Sequence, residues 1–148
     1  MRPGRFARVM KELPAEHKGV FALVVARHGK LVFEDYYHDY PHNSGFEMYS
    51  ITKSVTSALV GIAIREKRIK SVDESLHDFL PTPPAARRIR IRELLTMTAG
   101  WPGDDDPRND VGGSPANLVR ALLHRPVVHK PRTTFAYDSS ATHVSRPC

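Results

Sequence analysis

Ser50-Ile51-Thr52-Lys53 sets a hydroxyl and an amine three residues apart. At the start of a helix this spacing brings both groups to one face, one turn apart. A serine hydroxyl attacks a carbonyl only when a base removes its proton. A lysine beside the positive end of a helix, flanked by apolar residues, has its ammonium form disfavoured, and Lys53 is then suited to be that base. The backbone N–H of Ser50 precedes the first intrahelical hydrogen bonds, so it is available to stabilise an oxyanion on the attacked carbonyl. The competing reading is an ordinary capped helix with a lysine in water, because a Ser/Lys pair at this spacing arises about once by chance in a chain this long.

The elements that must position this pair can be read from the pattern around it. From Ser50 to about Lys67 the wheel is apolar over more than one stripe, through Val55, Leu59, Val60, Ile62, Ala63 and Ile64, which predicts a helix buried on most sides. Before it, Phe21–Ala26 and Leu31–Tyr37 flank Arg27-His28-Gly29-Lys30 and predict a β-hairpin. Asp39–Phe46, with Pro41, Asn43, Ser44 and Gly45, reads as a loop. After the helix, Ser71-Val72-Asp73-Glu74 has the spacing of a capping box and predicts a short helix from Ser71 through Leu76, Phe79 and Leu80, stopping before Pro81. Pro81, Pro83 and Pro84 form a connector. Ile91–Met97 forms an apolar element that ends at Gly100, and the Asp-, Pro- and Gly-rich Trp101–Gly113 is a loop. Ser114-Pro115 then opens a helix with Leu118, Val119, Leu122 and Leu123 on one face.

Four stretches in order resemble the penicillin-recognising serine hydrolases, in the branch that holds class C β-lactamases, D-alanyl-D-alanine peptidases, lipolytic esterases and 6-aminohexanoate-dimer hydrolases. Phe21–Tyr37 is similar to the first hairpin of that family, and Tyr49–Leu59 to its nucleophile helix. Ile89-Arg90-Ile91-Arg92-Glu93-Leu94-Leu95-Thr96-Met97-Thr98-Ala99-Gly100-Trp101 is similar to its I-R-x-L-L-T-x-T-S-G stretch, and Phe135-Ala136-Tyr137-Asp138-Ser139 to its second catalytic motif. The resemblance implies a mixed α/β (α+β) fold with an antiparallel sheet and packed helices. It implies Ser50 as the nucleophile, Lys53 as the partner base and Tyr137 as a second acid/base, with no organic cofactor and no metal. Without the resemblance, Tyr137 reads as a core or interface tyrosine.

Two features depart from that pattern. Ser139 stands where the family commonly has asparagine, and a hydroxyl donates one hydrogen bond but cannot replace both faces of a carboxamide. Ser139 is therefore expected to bind substrate in a different way, which favours the esterase and dimer-hydrolase branches. The chain also reaches Cys148 with no Lys-Thr-Gly or His-x-Gly triad, and Pro147 interrupts an apolar helix that starts near Ser140. These features suggest an N-terminal portion of the family domain: residues 1–19 as an extension, 20–143 as the family-like region and 144–148 as a divergent tail.

Composition bounds the remaining possibilities. An apolar fraction of 41% and a charged fraction of 26% fit an ordinary folded domain and exclude disordered and disulfide-rich classes. The longest apolar runs, Val20–Ala26 and Ala58–Ile64, are about a third of the roughly 20 residues that cross a bilayer. The charged first nineteen residues contain no apolar segment of a secretory signal, so the expected location is cytoplasmic, with no membrane partner. The single cysteine, Cys148, rules out an internal disulfide framework. An excess of 22 Lys and Arg over 16 Asp and Glu raises a polyanion as a partner. However, Arg87, Arg88, Arg90 and Arg92 alternate with Ile89 and Ile91 as the solvated side of an extended segment, and no aromatics interleave to stack bases. A small-molecule ester, amide or lactam is the expected partner, and nucleic acid is not. His38 and His42 lack a third ligand, and Asp104, Asp105, Asp106 and Asp110 miss the calcium-loop pattern and read as a solvated loop. The alternatives are an inactive portion of such a hydrolase and a basic binding module.

Overall fold

His28 and Gly29 have φ of 50° and 73°, so both central residues of the turn lie in the left-handed region that a tight two-residue hairpin requires. The turn joins β1, Ala22–Arg27, to β2, Lys30–Tyr36, in an antiparallel pair running from Ala22 opposite Tyr36 to Arg27 opposite Lys30. A register shift at Val25/Ala26 marks a bulge near the turn. The computed structural model describes residues 3–109 and 118–144 and divides into two units, Met1–Glu47 and Met48–Cys148. In the first unit the hairpin follows α1, Pro3–Glu16, an amphipathic helix on which Arg8 pairs with Glu12 one turn on. The sequence reading had no helix here. Phe21, at the start of the apolar run, lies in an aromatic cluster, with its ring 4.9 Å from that of Tyr40 and 6.4 Å from that of Phe46.

The second unit opens with α2, Ile51–Arg65. Only Thr56 and Val60 of this helix are buried, whereas Ile51, Val55, Leu59 and Ile62 are exposed, so the expectation of burial on most sides is not met. Within this unit the helix is packed along one edge, where Val60 joins Ile69 and Ile91, with Ala63, Ile64, Val72, Phe79 and Leu95 around them. The larger core lies further along the chain, where Leu76, Ile89, Leu94, Trp101, Leu122 and Val144 meet at 2% exposure or less.

The capping box forms one turn later than expected. Ser75 caps a single 3₁₀ turn over Leu76–Asp78, with Asp78 reaching back to the Ser75 N–H, while Ser71 Oγ accepts only from the Asp73 N–H. Leu76 N–H donates to Ile89 O and Ile91 N–H to Glu74 O, a short ladder that turns Ile89 and Ile91 into the core. Arg92 departs from the expected extended segment. It lies in α3, Ile91–Leu95, and forks onto Asp73 with two hydrogen bonds of 2.9 Å. α4 covers Leu118–Leu123 and α5 covers Ala141–Val144. The expected Ser114-Pro115 start and the Ser145–Cys148 tail lie outside the described residues. No helix among the described residues is long and apolar enough to cross a membrane.

Gly100 has φ 84°, and a Cβ there would run into the carbonyl oxygen of His129, whose own N–H donates to Gly100 O at 3.1 Å. Both the backbone conformation and the close approach require glycine. Gly100→Ala is expected to lower stability by about 2 kcal/mol or more, read as a fall in the urea midpoint. An unchanged midpoint would contradict the strain argument.

Candidate active site

Ser50 ends its loop in a helical conformation, φ −70° and ψ −9°, at the N-cap of α2, and its hydroxyl makes no capping hydrogen bond. The ordinary capped-helix alternative requires that bond. The hydroxyl instead lies 3.0 Å from Lys53 Nζ, which donates to it, and 2.6 Å from the phenol oxygen of Tyr137. Lys53 Nζ also sits 5.1 Å from the centre of the Tyr137 ring, within range of a cation–π contact. Tyr49, directly before Ser50, has φ 40°, a strained value for a residue with a side chain and one that tends to be kept where geometry matters.

Tyr137 arrives from 87 residues away on an extended loop. Ala136 N–H donates to Met97 O, and Arg132 N–H donates to Thr98 O. The buried Glu93 carboxylate also takes Arg132 Nε, tying α3 to the start of this loop. The phenol of Tyr137 is held below the usual tyrosine range, first by its hydrogen bond with Ser50 and then by Lys53, against an opposing desolvation. Ser139 gives its only hydroxyl hydrogen to Asp104 at 2.7 Å. The site is open to solvent, with Lys53 half-buried and Tyr137 exposed, so the apolar burial expected around Lys53 is absent.

The structure therefore brings Ser50, Lys53 and Tyr137 together and places Ser139 on the same loop with its side chain turned to Asp104. Beside Tyr137 runs an open groove of about 830 Å³, lined by Gly103–Pro107 and Phe135–Tyr137. Sequence reasoning missed the contacts that hold this loop. Asp138 is buried against Arg125, Asp104 accepts from Ser139, and Asn109 lies between Arg125 and Asp104. Asp104 and Asp106 are engaged rather than simply solvated, since Asp106 also pairs with Arg108, which holds its carboxyl down to about 2. Among the described residues no group of three His, Cys, Asp or Glu side chains is placed to hold a metal ion.

Comparison with known proteins follows the same lines as this geometry. No curated protein matches the sequence. A solved structure from Bacteroides dorei DSM 17855, described as a candidate β-lactamase, aligns with a TM-score of 0.75 at 24% identity, covering 95% of this chain and 44% of that one. A candidate 6-aminohexanoate-dimer hydrolase from Bacillus anthracis aligns with a TM-score of 0.67 at 20% identity, over 92% of this chain and 40% of that one. SurE aligns with a TM-score of 0.67 at 24% identity, over 95% and 34%. The chain thus spans less than half the length of each of these structures, and the likeness is one of fold. The family match itself is made in sequence and runs over residues 6–144, through the hairpin, the Ser50 helix and the Tyr137 loop, so the chain belongs to the β-lactamase family.

Proposed function

We propose that the Ser50 site transfers an acyl group from a carboxylic ester, amide or lactam to water through an ester on Ser50. The observation that carries this reading is the placement of Ser50 Oγ at 2.6 Å from the Tyr137 phenol and 3.0 Å from Lys53 Nζ. In the first step the Ser50 Oγ–carbon bond forms while the Ser50 proton passes to the ionised phenol oxygen of Tyr137. The carbon–leaving-group bond then breaks as Tyr137 returns that proton to the leaving oxygen or nitrogen. Water attacks the Ser50 ester by the same route in reverse, releasing the acid and restoring the hydroxyl. Lys53, 3.0 Å from Ser50 Oγ and 5.1 Å from the centre of the Tyr137 ring, favours the phenolate by its charge. The Ser50 N–H is the candidate oxyanion donor. Ser139, its hydrogen donated to Asp104, offers a substrate only lone pairs, so it accepts from the substrate rather than donating to it.

The test is intact mass after incubation with a fluorophosphonate and, separately, with a fluorescent penicillin. One adduct is expected on the chain, with none on Ser50→Ala. A penicillin adduct in addition to the fluorophosphonate one favours lactam substrates, and its absence favours esters and amides. The same adduct on Ser50→Ala would sink the assignment of the nucleophile. A folded chain that takes neither probe would show that this chain by itself is not a hydrolase.

A further inference from the structure

Asp104 stands outside the Ser50, Lys53 and Tyr137 constellation, yet it grips the Tyr137 loop on both sides of Asp138. Its backbone N–H donates to the carbonyl of Tyr137 at 2.8 Å. Its carboxylate accepts from Ser139 twice, from the N–H at 2.8 Å and from Oγ at 2.7 Å. Gly103 permits the approach, because a Cβ there would lie 3.2 Å from the Tyr137 carbonyl oxygen. Asp104 is anchored in turn. Asn109 Nδ2 donates to its Oδ1 at 3.1 Å, and Asn109 Oδ1 accepts from Arg125, the partner of Asp138. The contacts form a ring through Asp104, Asn109, Arg125 and Asp138 that closes on the three-residue segment beginning with Tyr137.

We infer that Asp104 is a positioning residue for the Tyr137 phenol, fixing the loop so that the phenol oxygen lies within proton-transfer distance of Ser50 Oγ. The inference rests on the acyl-transfer reading of Ser50. Its physical basis is the sensitivity of such a transfer to placement, where a shift of about 1 Å can cost about a hundredfold in rate. A loop whose phenol reaches a helix 87 residues away has no local rule to hold it there. One ionised carboxylate that takes both the N–H and the hydroxyl of one residue fixes backbone and side chain together, with charge-assisted bonds. Asp104 is exposed, so water replaces part of what is lost on its removal and the loop loosens rather than unfolds.

The test is a cycle of Asp104→Ala and Asp104→Asn, each in the Tyr137 protein and in Tyr137→Phe, with the rate of fluorophosphonate labelling at Ser50 as readout. With Tyr137 present, Asp104→Ala is expected to slow labelling about tenfold, and in the Tyr137→Phe background by less than about twofold. Asp104→Asn, which keeps one acceptor oxygen, falls between and serves if the alanine variant does not fold. Equal losses in both backgrounds would assign Asp104 a general structural role and overturn the inference. A second readout does not depend on labelling. In protein carrying tyrosine labelled with ¹³C at Cζ, the Tyr137 titration is expected to move in both variants from its depressed position towards the ordinary tyrosine value. An unmoved titration would also overturn the inference. A chain that takes no label but whose Tyr137 titration responds to Asp104→Ala would reject the Ser50 chemistry while supporting the positioning role.

Discussion

Tyr137→Phe is expected to slow acylation of Ser50 by a fluorophosphonate by about 10²–10⁴-fold, the range that a positioned acid or base supplies. The substitution removes one oxygen and retains the ring, including the face that lies 5.1 Å from Lys53 Nζ. The loss therefore reports proton transfer rather than packing. It also has a pH signature with a definite sign. The phenol must be ionised to accept the Ser50 proton, so the labelling rate rises as pH rises through the Tyr137 pKa. The hydrogen bond with Ser50 and the neighbouring Lys53 put that pKa below the ordinary value of tyrosine. The rising limb is then centred below about 10 in the wild-type chain and is missing in Tyr137→Phe. Labelling rates against pH for the two proteins check both parts. A rate within a few-fold of wild type and an unchanged limb in the variant would remove Tyr137 from the mechanism and return the role of base to Lys53.

The members of this site differed in how legible they were in the sequence. Ser50 and Lys53 carry their relation in their spacing, because a helix fixes where residue i+3 points. Tyr137 has no such relation to either one. It was reached only through the resemblance of Phe135–Ser139 to a known motif, since the 87-residue separation leaves no periodicity to read. Asp104 and Arg125 were out of reach for the same reason. Their partners, Ser139 and Asp138, lie 35 and 13 residues away, and an aspartate in a loop rich in Asp, Pro and Gly looks solvated until the fold brings it a donor. The hairpin was legible because the left-handed turn and the strand pattern are both local. The capping box was misplaced by one turn because Ser71/Glu74 and Ser75/Asp78 both fit its spacing. Only the ladder between Glu74–Leu76 and Ile89–Ile91 selects the second. The burial of α2 was overestimated for a different reason. An apolar wheel states what a helix can bury, whereas what it does bury depends on the elements that pack against it.

Asp138→Ala is expected to destabilise the fold by about 3–5 kcal/mol, a large share of the stability of an ordinary domain. The Asp138 and Arg125 side chains are 4% and 2% exposed, and Arg125 Nη2 reaches Asp138 Oδ2 at 2.7 Å. The guanidinium is held in place by more than this pair. It lies 4.6 Å over the buried Trp101 ring and donates through Nε to Leu122 O, so it cannot swing into water when its counterion is removed. Asp138→Ala then leaves a charge inside the protein with no partner of opposite sign, and it also takes the acceptor from Ser140 N–H. Removing both charges has a different consequence. With Arg125→Met and Asp138→Leu together, the desolvation cost of the pair disappears along with its attraction, so most of the stability is expected to return. Urea unfolding of the two single variants and the double variant measures this coupling directly. A single-variant loss below about 1 kcal/mol would show that Arg125 relaxes to solvent, and a double variant as unstable as the sum of the singles would show that the residues act separately. The outcome reaches the active site because Asp138 directly follows Tyr137. Asp138 of this buried pair is joined directly to Tyr137, whose phenol meets Ser50, so breaking the pair by removing one partner costs both folded population and the placement of the base.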